Sequence, residues 1–202
     1  MALRIKSRWH NSGRHTTLSK AVADHASALA FIIWRLSLDG ARALHGEGFE
    51  YLGDYERIGV ITEFVAYLVQ LTDRLAHGQM EDPSRDVLVN ALAHRLADQI
   101  QDNLTDIAGP GNYHAPFIEA LNARLTSYST TSFEVETGPG FDGLRVFGAR
   151  VLEIMGETQT NRWVIDQIMQ IDGPDLYEKL KPAFANLLGS AKTQPVATDS
   201  SR

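Results

Sequence analysis

Four side chains able to do acid–base or metal chemistry fall at one level if two neighbouring stretches of this chain fold as a helical hairpin. Both Tyr55–His77 and Asp82–Ala108 carry apolar residues at helical spacing. With a turn near Met80, residues whose numbers sum to about 161 stand side by side, because both helices rise about 1.5 Å per residue. His94 then faces Tyr67, and Asp98 faces Glu63. Each pair is one turn apart on its own helix, so the four polar groups can meet at the edge of one groove. Two carboxylates, an imidazole and a phenol could transfer a proton or hold a divalent metal ion with open water positions. The competing arrangement is a solvated strip of i,i+4 pairs, since His94 and Asp98 lie on the polar side of their helix.

His25 is a separate candidate. It sits inside the apolar stripe of the first helix and could be cofactor-binding, as an axial ligand to a haem or as the wall of a pocket for a flat ligand. A core histidine bonded to a backbone carbonyl or to Asn103 is the simpler reading. His45 and His77 each precede a glycine at a helix end, where a histidine interacts favourably with the last carbonyls.

The sequence contains no G-x-S-x-G, P-loop, G-x-G-x-x-G after a strand, or H-E-x-x-H. It also lacks Glu-x-x-His, the spacing by which ferritin-like bundles project di-iron ligands inward. With no cysteine, disulfides, thiolate metal sites and a thiol nucleophile are excluded together.

These candidates need helices to carry them. The expected fold is all-α, a single-domain antiparallel bundle of about six helices, with a Gly/Pro-rich loop in the middle of the C-terminal half. Its organising element is Tyr55–His77, whose Ile58, Val60, Ile61, Phe64, Val65, Leu68, Val69, Leu71 and Leu75 cover more than half of a helical wheel. Such a helix is packed on two sides. The first helix starts near Thr17 or Ser19 and ends at Leu44-His45-Gly46. Asp54 and Asp82 are the expected caps of the second and third, the latter with Pro83 in its first turn. Asn103 falls on the apolar arc of the third helix, which predicts a buried amide tying two helices together. After Gly109-Pro110-Gly111 comes a shorter helix from about Tyr113 to Tyr128.

Residues 129–141 read as a connection with a short extended piece near Phe133 to Val135. A fifth helix follows Asp142. Near Gly156 its apolar face would carry Thr158 and Asn161 into the core, which predicts a break or restart. Asp172-Gly173-Pro174 should end the next helix, and Pro182 should kink the last one.

The chain has 202 residues, 44% of them hydrophobic and 22% charged, enough for one domain with a sizeable core. The division expected is a basic N-terminal arm over 1–16, a helical bundle domain over 17–190 and a disordered tail over 191–202. The first twenty residues carry Arg4, Lys6, Arg8, Arg14 and Lys20 with no acid, ahead of a body that brings the net charge to -6. It reads better as docking on that body or on a second copy than as a nucleic-acid contact. No apolar run reaches membrane-spanning length and the start lacks a signal-like core, so the expected location is cytoplasmic.

Function is then expected in one of two classes. The first is a soluble helical domain acting by self-association, as a homo-oligomer and plausibly a dimer, or by binding a partner or small ligand. The second is a cofactor- or metal-binding helical enzyme using His25 or the Glu63, Tyr67, His94 and Asp98 group.

Overall fold

The computed structural model describes residues 16–158 and 160–191, with side-chain environments described within 22–188. The N-terminal arm and the C-terminal tail proposed from the sequence lie essentially outside the described residues. Helices dominate: α1 spans Thr16–Gly46, α2 Asp54–His77, α3 Asp82–Ala108, α4 His114–Tyr128 and α5 Phe141–Met155. A hairpin of two short strands joins α4 to α5, with β1 (Phe133–Glu134) antiparallel to β2 (Gly138–Pro139). Beyond α5, a 3₁₀ turn at Asn161–Trp163 leads into α6 (Val164–Gln167), a π-helical turn at Ile168–Asp172, and α7 (Gly173–Ala191). The all-α bundle is therefore present as read.

The second helix is central. It packs against α1, α3, α4, α5 and α7, and the apolar residues of its wide arc are buried, among them Val60, Phe64, Val65, Leu68, Val69 and Leu71. Its wide apolar arc is thus covered within one chain, which removes that arc as a motive for self-association. Close approach to α1 depends on Gly40: a Cβ there would lie within 2.7 Å of two atoms of the Phe64 ring. Phe64 in turn meets Phe147 edge to face at 4.9 Å, and Phe147 stacks on Tyr67 at 4.2 Å. These three rings join α2 to α5.

Several local expectations are corrected. The N-cap of α2 is Gly53 and that of α3 is Glu81, neither with a side-chain cap bond. Asp54 and Asp82 lie just inside and bind Arg57 at 2.8 Å and Arg85 at 3.1 Å. Each carboxylate favours its helix through charge at the N-terminus. Asn103 bonds the Gln99 carbonyl of its own helix at 2.8 Å, so it ties no second helix. Asp172-Gly173-Pro174 does not stop the chain. Gly173 is helical at φ -62, and the π turn widens the backbone where Pro174 can supply no N–H and would crowd the preceding carbonyls. Pro182 lies within α7.

Residues 129–141 are fastened rather than loose. Arg74 of α2 donates through Nη2 to the carbonyls of Tyr128, Ser129 and Thr131, satisfying acceptors that α4 leaves at its C-terminus. The Asp142 carboxylate accepts from the Ser132 amide and hydroxyl at 2.9 and 2.6 Å, bonds that hold its pKa below the usual carboxylate range. Tyr177 closes the other side, donating to the Val135 carbonyl and meeting Phe133 edge to face at 5.8 Å. No helix among the described residues is long and apolar enough to cross a membrane.

Candidate functional site

The four residues proposed as one polar site are divided between two places. Glu63 is buried, and its carboxylate takes Nε and Nη2 of Arg124 in three contacts of 2.7–2.9 Å. Tyr67, fully buried, donates to the Gly173 carbonyl at 3.1 Å, and burial pushes its pKa up. Asp98 is mostly exposed and lies 3.6 Å from His114 Nε2, while the same nitrogen lies 3.4 Å from His94 Nδ1. The rings of His94 and His114 are near-parallel, 5.3 Å apart. His114 and Arg124 are ten residues apart on α4, about 15 Å along its axis. One end of α4 therefore serves His94 and Asp98, and the other serves Glu63. Level-matching on α2 and α3 left this third helix out of account. Among the described residues, no group of three or more histidine, aspartate or glutamate side chains is arranged to hold a metal ion.

His25 is half-buried near the start of α1 and does not line the cavity described next. Twenty residues of helix, about 30 Å, separate it from His45.

The cavity lies where the end of α1, the 47–53 loop, the start of α2 and the end of α3 meet. It has a volume of about 550 Å³, within the range of small-molecule sites. Leu38, Ala41, Ile58, Ile61 and Ile107 give it apolar walls, while Arg42, His45, Tyr51, Asp54, Arg57 and Asn103 supply polar groups. Each polar group is placed by a local bond. The Tyr51 hydroxyl donates to the Ala41 carbonyl at 2.8 Å, and burial, with Asp172 nearby, raises its pKa. His45 Nδ1 lies 3.3 Å from the Phe49 carbonyl, which can only accept, so a proton on Nδ1 leaves Nε2 as an acceptor in the neutral ring. The His45 and Tyr51 rings are near-parallel at 6.2 Å. Asn103, with an N–H given to Gln99, keeps its carbonyl oxygen as an acceptor.

The loop forming one wall is held from across the molecule. Asn161 is fully buried; its Oδ1 accepts from the Glu50 amide at 3.0 Å, and its Nδ2 donates to the carbonyls of Glu50 at 3.0 Å and Met155 at 3.2 Å. The break expected near Gly156 thus brings Asn161 into the core as a fully bonded amide rather than keeping it out. Behind Tyr51 stands Asp172, buried on the π turn, with Oδ2 lacking a hydrogen-bond partner. Burial lifts its pKa to about 6 against a bond from Gln167, with Asp175 and Glu47 raising it further and Lys179 opposing.

Sequence reasoning missed this constellation because its members come from three helices and a loop, and each has a sufficient local explanation. Asp54 read as a cap and His45 as a helix-end residue. The one signal was the glycine-rich stretch 46–53 between two strongly patterned helices. No family model, curated protein or solved structure matches the chain.

Proposed function

We propose that this chain is a helical binding domain that takes a small, largely apolar molecule into the cavity between α1, α2 and α3. The observation that carries the reading is that cavity: five aliphatic residues from three helices line about 550 Å³ with a few polar groups at defined positions. Its polar side chains are orienting groups. Tyr51 is committed to Ala41, and Asn103 retains an acceptor for a ligand N–H or O–H. The sequence-based enzyme alternative loses support from the separation of Glu63 from Asp98 and His94, whereas the small-ligand alternative gains a place to act.

The test uses a neutral solvatochromic dye such as prodan titrated into the full chain. Expected is saturable blue-shifted emission at one dye per chain, abolished by Ile107→Trp, which fills the cavity from a wall residue that is 36% exposed. Binding unchanged by Ile107→Trp would place the dye elsewhere and reject the reading.

A further inference from the structure

We infer that the molecule bound is a monoanion with an apolar body, its acid group held between Arg42 of α1 and Arg57 of α2; this rests on the cavity being a binding site. Two guanidinium groups, Arg42 and Arg57, and one carboxylate, Asp54, line the cavity, and Asp39 pairs with Arg42 from outside the lining. One acid group can be shared by the two guanidinium groups, whereas a cation would face both.

Neither arginine is locked away. Arg42 bonds Asp39 at 2.9 Å with its side chain 77% exposed, and Arg57 bonds Asp54 at 2.8 Å with its side chain 52% exposed. Exposed i,i+3 pairs of this kind contribute little to stability, so turning a guanidinium toward a ligand sacrifices little. A guanidinium also has five N–H donors, and one Nη engaged with an aspartate leaves others for a carboxylate or phosphate oxygen. Glu63–Arg124 shows the contrast within the same molecule, a buried pair whose guanidinium is taken up internally. The aliphatic walls leave the rest of the ligand to be apolar.

The experiment compares three probes with the same eight-carbon tail, octanoate, octan-1-ol and octylammonium, by calorimetric titration at pH 7.5 in low salt. Octanoate is expected to bind about tenfold tighter than octanol, as a charge-assisted bond does over a neutral one, with octylammonium weakest. Raising the salt concentration narrows the difference, and Arg42→Gln with Arg57→Gln brings octanoate to the level of octanol measured on the same variant. Equal affinity of octanoate and octanol for the unaltered chain overturns the anion assignment and leaves the apolar binding site standing. Failure of all three probes, together with failure of prodan, rejects both. Octanoate preference that survives the double substitution also overturns the inference, because the charge would then be read elsewhere.

Discussion

Glu63 shows what residue types can and cannot reveal. Its place on α2 was visible in the sequence; that its partner is Arg124, 61 positions away, was not, because only the packing of α4 on α2 brings them together. The pair is buried on the glutamate side, so removing one member strands a charge. Glu63→Gln or Arg124→Gln should destabilise the fold by about 3–5 kcal/mol, and replacing both by leucine should cost less than either single change. Urea unfolding of the four proteins checks this, with additivity as the contrary outcome.

Asp172 carries the opposite kind of strain. Its folded pKa of about 6 lies above that of a free carboxylate, so the folded state binds the proton more tightly than the unfolded one. Stability from this group is therefore full below the free-carboxylate value of 3.8 and is lost as pH rises through about 6. Asp172→Asn should raise the melting temperature at pH 8 and leave it unchanged at pH 4. A gain at both pH values would mean that charge is not the cause. His25, half-buried, should tolerate glutamine and leucine alike, to within about 0.5 kcal/mol by thermal melting.

The helices were legible because their apolar spacing is a property of each stretch alone: α2 and α3 end where His77-Gly78 and Ala108-Gly109 end them. Joints between elements were not, since they are made by contacts between residues far apart in the chain. Arg74 lies on α2 and caps the end of α4. Asn161 looked like a polar residue to be kept out of the core and is the pin of the 47–53 loop. Asn161→Ala would leave the Glu50 amide and carbonyl without this partner, at a cost of about 1–3 kcal/mol. Because that loop supplies Tyr51 and Gly53 to the cavity, probe affinity should fall along with the melting temperature. Lost stability with full affinity at low temperature would show that the cavity wall does not depend on the pin.

The whole molecule is a bundle in which one central helix is enclosed and a cavity opens where three helices and a loop fail to close completely. Composition and periodicity foretold the enclosure but not the gap, since a gap is defined by what adjacent elements leave unfilled. The π turn before α7 bears on that enclosure through angular phase. Buried residues from Val164 onward recur every four positions, at Ile168, Asp172, Leu176, Leu180 and Phe184. Four residues of α-helix overshoot a full turn by about 40°, so five such steps in an unbroken helix would swing Phe184 about 200° away from the face that Val164 occupies. One residue taken up in a wider turn winds back about 100° of that drift. Deleting exposed Ile171 should therefore turn Tyr177, Leu180 and Phe184 off the core as a group, and a circular-dichroism melt should register a loss far larger than Ile171→Ala produces. The five residues of the turn act as a phase corrector, and the facing of the entire C-terminal helix is set before that helix begins.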